Sequence, residues 1–337
     1  MLILSNSLSQ TADEGSLKLA TSIVKRLKKE NPDTYIISYE RSFGKSDIHL
    51  QLNKFHISKQ LISLLKKSKQ PVLYIPFPAP TLSMAIRIWI LSFFARYGLK
   101  VMMIRQYPMN RIAKILMKSS KAELITFSKR AFDFYREIVG DHVTYLKTGV
   151  DTNKFIPVSS DKVKELKIKY GFDPEKPIVL HVGHMKEGRN IAELMKIDAK
   201  YQVLLVVSSL SKERQNETLK NTLLSCQNIK IIDEYISNIE EIYQMCDVYF
   251  FPVKQLGHCI DIPLSCLEAA ACNKPVITTD YGEMREFKKK NGFFFIDEST
   301  SNVNCLLDVA LNGTFNSRVA VLEYDWKESL YRLIDML

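Results

Sequence analysis

DIPLSCLEAAACNKPVITTDYGEMREF, residues 261–287, reads as a helix, a buried strand and a second helix, with acids placed at the turns. Pro263 suits a first helical position, and Leu264, Leu267, Ala270 and Ala271 recur at helical spacing. Asn273 can close that helix in the left-handed conformation, and Pro275 forbids its continuation. The run Pro275-Val-Ile-Thr-Thr279 is apolar enough for a parallel strand covered on both faces. Glu268 stands mid-helix among small and apolar residues. A carboxylate there is costly unless it meets water, a cation or a ligand's hydroxyls. Spacing alone equally suits a solvated glutamate on the helix's outer face.

Outward from this stretch, strands and helices alternate along the chain. The apolar runs predict strands at 1–6, 34–39, 71–76, 100–105, 123–127 and 143–146, then at 178–183, 202–208, 229–233, 247–251, 275–279 and 293–296. Helical patterns fall between most of them, which predicts an α/β protein with two doubly wound parallel sheets. At 337 residues two domains are expected, each with its own core. Thr148-Gly149 and Pro157 interrupt the periodicity and put the boundary near 148–158. The six cysteines lie in the C-terminal half without a C-x-x-C pair, so they read as reduced thiols of a cytosolic protein rather than ligands of zinc or iron–sulfur. Met1-Leu-Ile-Leu-Ser is too short for a signal peptide and makes a good first strand.

Charge is divided unevenly. Residues 1–150 carry 24 Lys and Arg against 10 Asp and Glu, a balance of +14, whereas the remainder carries −4. No acid occurs between Asp47 and Glu123, an interval that holds 13 Lys or Arg. Solvated surfaces normally mix both signs, so a one-signed interval argues for an anionic partner. Within it, residues 81–97 form an apolar run interrupted by Arg87 and Arg96, which argues against a transmembrane span. The run fits a buried domain helix. It also fits an interfacial helix whose Trp89 and Phe93 enter the headgroup boundary while nearby lysines meet anionic lipid. Nucleic acid is not favoured: there is no zinc-finger spacing, RNP-type aromatic motif or arginine-rich stripe.

The segment Ile178-Val-Leu-His-Val-Gly-His-Met-Lys-Glu-Gly-Arg-Asn190 has the chemistry of a phosphate loop. A glycine after a buried strand lets backbone approach a phosphate, and a following helix would add oriented N–H groups. Arg189 adds a permanent bidentate charge, and His184 a weaker one. No G-x-G-x-x-G or Walker sequence occurs, which counts against dehydrogenases and P-loop enzymes.

Three stretches carry a resemblance. Leu267-Glu-Ala-Ala-Ala-Cys-Asn-Lys-Pro-Val-Ile-Thr-Thr-Asp-Tyr-Gly282, Tyr145-Leu-Lys-Thr-Gly-Val-Asp-Thr-Asn-Lys-Phe-Ile-Pro157 and the 178–190 loop resemble retaining glycosyltransferases of family four, the glycosyl transferases group 1. The resemblance implies the GT-B architecture, two Rossmann-like domains facing a central cleft. It implies an N-terminal acceptor-side domain over 1–150, a nucleotide-sugar domain over 159–315, and a closing helix in 316–337 that packs back on the first domain.

In that family the second glutamate of an E-x7-E motif holds the nucleotide ribose, and Glu268 matches it. The first, which touches the donor sugar, falls on Ile260, with Asp261 one place off register. Asp261 is therefore either the sugar contact or an acid stabilised at a helix start. In the phosphate loop, aligned on Gly183, His184 stands for the family's arginine and Arg189 for its lysine. The resemblance thus assigns catalytic roles to Arg189, Glu268 and Asp261. It assigns donor binding to Gly183, His184, Lys186, Arg189 and Glu268, while position in the loop before Asp261 suggests His258.

The expected reaction is retaining transfer of a hexose or N-acetylhexosamine from a UDP-, GDP- or ADP-sugar to a glycan or lipid-linked hydroxyl. No metal or separate cofactor is expected, because cations fill that role and no carboxylate cluster has ligand spacing. The expected location is cytoplasmic, peripheral on the inner face of a membrane. The displaced first glutamate motivates a second reading, a non-catalytic GT-B scaffold or regulatory subunit of a glycan-assembly complex. In the first domain, Asp13-Glu14-Gly15-Ser16 follows the first strand and Arg105-Gln106-Tyr107 the fourth, and neither yields a catalytic base.

Overall fold

The β-branched and aromatic runs become parallel strands, and the amphipathic segments between them become crossover helices. The computed structural model describes residues 1–5, 8, 15–39, 47–50, 57–76, 82–105, 109–207, 216–296 and 302–337. Asp13, Glu14, Gln106 and Tyr107 lie outside the described residues. The chain divides into two compact units, one of residues 1–147 with 327–337, the other of residues 148–326.

The first unit is built on strands β1 (Leu2–Ser5), β2 (Tyr35–Tyr39), β3 (Ile48–Leu50), β4 (Val72–Ile75), β5 (Leu99–Met103), β6 (Ala122–Thr126) and β7 (Val143–Tyr145). They pair in parallel in the order β3-β2-β1-β4-β5-β6-β7. Helices α1 (Gly15–Glu30), α2 (Lys59–Lys67), α3 (Leu82–Phe94), α4 (Arg111–Ser119) and α5 (Lys129–Val139) connect them. Ser58, Asn110 and Ser128 cap α2, α4 and α5 by accepting a backbone N–H three residues on. Buried side chains of α2 to α5 join those of the strands in one cluster, so these helices cover the same sheet face. Strand β3 was not expected: three residues, Ile-His-Leu, are too few to show a period.

The second unit holds β8 (Ile178–Gly183), β9 (Gln202–Val207), β10 (Ile229–Ile232), β11 (Val248–Phe251), β12 (Val276–Thr278) and β13 (Phe293–Phe295). They are parallel in the order β10-β9-β8-β11-β12-β13. The order reverses between β8 and β11. Loops leaving those two strands therefore flank the crevice where open α/β sheets take their ligands. Helices α6 (Ser160–Lys169), α7 (Glu217–Leu224), α8 (Ile239–Met245), α9 (Leu264–Ala271) and α10 (Val303–Asn312) complete the layers. Helix α11 (Trp326–Asp335) ends the chain, and residues from 327 onward belong to the first unit, where Ser329 Oγ donates to Lys147 O at 2.7 Å.

Two local expectations need correction. Pro263 lies outside α9 as its extended N-cap residue rather than in its first turn, with φ −63° and ψ 122°. The segment after β12 forms only a short 3-10 turn, Met284–Phe287, instead of a second α-helix. Asn273 does take the left-handed conformation at the end of α9, with φ 60°.

Candidate active site

Sequence led us to expect an α-helix N-terminus behind the loop that leaves β8. The structure has two 3-10 helices there, Glu187–Arg189 and Ile191–Lys196. Asn190 between them is left-handed, with φ 54°, a conformation no α-helix accommodates. Its Nδ2 donates to Pro252 O at 3.2 Å, which ties the β8 loop to the loop leaving β11. Anion affinity here must come from side chains and loop amides, because the expected α-helix dipole is absent.

Arg189 is the cation at this place. It is 5% exposed, and its guanidinium lies over Gly183: an ideal β-carbon on that glycine would sit 2.6 Å from Nη1 and 3.1 Å from His181 Nε2. Gly183 is thus a seat for Arg189, where sequence had suggested direct backbone approach to a phosphate. Arg189 Nε has no hydrogen-bond partner among the described residues. A buried guanidinium retaining an unused donor is suited to an incoming anion.

His181 lies beneath. It is wholly buried near Tyr249 and Phe251, and its Nδ1 lies 2.8 Å from Phe250 O. Burial is the main reason its pKa falls to about 4, and Arg189 adds to it. A neutral imidazole bonded in this way carries its proton on Nδ1, leaving Nε2 as an acceptor without a described partner. Sequence reasoning missed His181, because a lone histidine in an aliphatic strand reads as core.

The remaining loop residues converge. His184 is half-buried and its carbonyl accepts from Lys186 N at 3.0 Å; the Lys186 carbonyl accepts from Arg189 N at 2.9 Å, while its side chain is exposed. The His258 ring lies on Gly188, where a β-carbon would fall 2.3–2.5 Å from three ring atoms. His258, placed in the sequence only as a neighbour of the signature, therefore touches the phosphate loop itself. Asp261 is pinned through its carbonyl, which accepts from Glu283 N at 2.9 Å. Gly282, with φ 55°, permits this crossing, since a β-carbon there would sit 2.3 Å from the same oxygen. Tyr281 completes the clamp by accepting from Cys259 N at 2.9 Å and donating to Cys259 O at 2.7 Å. Burial chiefly raises its pKa to about 12; Asp261 also raises it, and Arg189 opposes.

Glu268 is 3% exposed, so the solvated outer-face alternative fails. It lies on α9 facing α8, where burial first and the Glu268 charge second hold the Tyr243 hydroxyl well above its ordinary pKa. The far end of α9 is closed by Arg318, which sequence reasoning also missed. Its guanidinium donates to Phe155 O and Thr152 O at 2.8 Å each and to Ala271 O. The same arginine therefore fixes α9 and the segment entering the second unit.

The site lies at the reversal point of a parallel sheet, in the part of the chain that a family model matches. Residues 162–320 match the family model described as Glycosyl transferases group 1, and the chain has the α/β fold of GT-B glycosyltransferases. It is similar to a glycosyltransferase from Rickettsia africae, with a TM-score of 0.78, 16% identity, and 99% and 97% of the two chains covered. It is also similar to the Anabaena protein HepE solved with UDP and glucose, at TM-score 0.75, 13% identity, and 99% and 98% coverage. Among curated proteins it is 26% identical over 204 residues to the Campylobacter jejuni N,N'-diacetylbacillosaminyl-diphospho-undecaprenol alpha-1,3-N-acetylgalactosaminyltransferase. That match covers 56% of this chain and 50% of the relative, so the chain spans half the length of the curated protein it matches.

Proposed function

We propose that this protein transfers a sugar, with retention at the anomeric carbon, from a nucleotide-diphospho-sugar to a hydroxyl of a glycan or lipid-linked acceptor. The observation that carries the reading is Arg189, a buried guanidinium with an unused donor at the C-terminal end of β8. It would meet the diphosphate, with Lys186 and His184 beside it on the same loop. Glu268, buried on α9 beside Tyr243, would accept from the ribose hydroxyls. Asp261, whose carbonyl accepts from Glu283 N across Gly282, would orient the donor sugar. His258 would stand at the sugar end of the phosphate loop.

The bond from the anomeric carbon to the β-phosphate oxygen breaks, and its electron pair stays on the diphosphate. Arg189, itself buried, would stabilise that growing charge. The acceptor oxygen bonds to the anomeric carbon from the same face and passes its proton to the departing oxygen. UDP is the first donor base to test, since HepE was solved with UDP and with UDP-glucose. The Campylobacter relative, by its name, builds on a diphospho-undecaprenol acceptor, which supports an N-acetylhexosamine donor and a lipid-linked acceptor here. That acceptor would place the protein peripherally at the inner face of a membrane.

The test is a transfer assay with UDP-, GDP- and ADP-sugars on polyprenyl-diphosphate saccharides, with the product anomer read by NMR. The expected product keeps the donor's anomeric configuration. An inverted product contradicts the proposed mechanism.

A further inference from the structure

We propose that the outer face of α3 and α4 docks the first unit on an anionic lipid bilayer. This deepens the proposed function, since a lipid-linked acceptor needs an enzyme at the lipid surface, but its evidence lies wholly in the first unit. Helix α3 packs between α2 and α4, and all three bury their inner sides in one cluster, so their outward sides form one surface.

On α4 the inner side is Ala113 and Met117. Outward it presents Ile112 and Ile115, each 58% exposed and three residues apart on one face. Arg111, Lys114 and Lys118 are exposed on the same short helix. Helix α3 is the packed domain helix that one sequence reading anticipated, but Phe93 stands outward at its end and meets Trp89 edge-on, with centroids 5.2 Å apart. Lys121 Nζ lies 5.3 Å from the Phe93 ring centre, and the exposed Arg96 and Tyr97 follow. Sequence inspection had fixed on α3 and passed over α4, whose two isoleucines are too few to make an apolar run.

Charge selects the occupant. In the second unit lysines meet acids, as in Lys164–Glu175 at 2.7 Å, Lys167–Asp247 at 2.8 Å, Lys200–Asp308 at 2.9 Å and Lys220–Asp233 at 2.7 Å. On the α3–α4 face, Arg96, Arg111, Lys114, Lys118 and Lys121 form no ion pair with any described carboxylate. Neither α3 nor α4 carries an acid; the nearest exposed ones, Asp133 and Glu137, lie on α5. Isolated surface isoleucines are ordinary, but isoleucines among unneutralised cations on an amphipathic helix are the composition of an interfacial element. An acidic protein would satisfy the cations without using the apolar tip. A second copy would bring cations against cations.

The experiment is flotation of the full chain with vesicles of phosphatidylglycerol mixed with phosphatidylcholine, against phosphatidylcholine alone, over a salt series. Wild type is expected to float with the anionic vesicles at low salt and to release as salt rises. The pair Ile112→Glu, Ile115→Glu should partition at least about tenfold less, and each reversal at Lys114 or Lys118 should cost roughly fivefold or more. Absence of wild-type binding, or full binding by the isoleucine pair, overturns the proposal. Wild-type self-association that the isoleucine pair abolishes would assign the face to a second copy and overturn it too. UDP, GDP and ADP binding, measured on the same preparations, tests the donor site separately, so the two readings can fail independently.

Discussion

The guanidinium of Arg189 lies against the α-carbon of Gly183, in space that a β-carbon 2.6 Å from Nη1 would claim. The glycine at the end of β8 therefore sets where the cation stands. Gly183→Ala should displace Arg189 and weaken nucleoside diphosphate binding by about 10- to 100-fold, as expected for loss of a charge-assisted contact. Its cost to stability should stay below about 1 kcal/mol, because the clash is with the far end of a long side chain. Calorimetry on Gly183→Ala and Arg189→Ala checks this; unchanged affinity in both would remove Arg189 from the phosphate site.

Gly188 and His258 form the second such pair, joining the loops that leave β8 and β11. Gly188→Ala and His258→Ala should each lower turnover about tenfold, with the double variant no worse than either. Multiplying effects would mean that the two act separately.

His181 makes stability depend on pH. Its ordinary value is 6.5, and in the folded protein it is lowered to about 4. Between those values the unfolded chain binds the proton more readily, so stability rises with pH across the window. Nothing is lost well above pH 6.5; the loss grows as pH drops and reaches about 3 kcal/mol by pH 4. Urea midpoints of wild type and His181→Phe at pH 7 and 4.5 measure it. The variant should lose less on acidification; parallel losses would assign the pH dependence to other groups.

Arg318 holds three carbonyls at the end of α9 and in the segment 152–155. Arg318→Ala should destabilise the protein by about 3 kcal/mol, and Arg318→Lys should recover less than half of that because one ammonium cannot span the fork. A loss below about 1 kcal/mol in chemical denaturation would place the restraint elsewhere.

Where periodicity and propensity agreed, the fold was legible. The apolar runs Ile178–Gly183 and Val276–Thr278, and the left-handed Asn273, stand where the sequence places them. The α-helix expected after Gly183 failed because one residue, Asn190, adopts a left-handed conformation that serves the contact to Pro252. Strand β3 was invisible because its neighbour β2, not its own composition, makes it a strand. Within the site, residue types pointed to Arg189 and Glu268. Nothing in spacing could show that Arg189 stands over Gly183, that His258 rests on Gly188, or that Tyr281 clamps Cys259. The first depends on the 3-10 turn Glu187–Arg189, and the other two join loops that leave different strands.

The central claim is that Glu268 and Arg189 belong to one donor site. Calorimetric titration of UDP, GDP and ADP into wild type, Glu268→Gln and Glu268→Ala tests it most directly. The account predicts that one diphosphate binds wild type selectively and that both variants, still folded by circular dichroism, bind it about 10- to 100-fold more weakly. Unchanged affinity in folded Glu268→Ala, or no binding of any of the three to wild type, would contradict it.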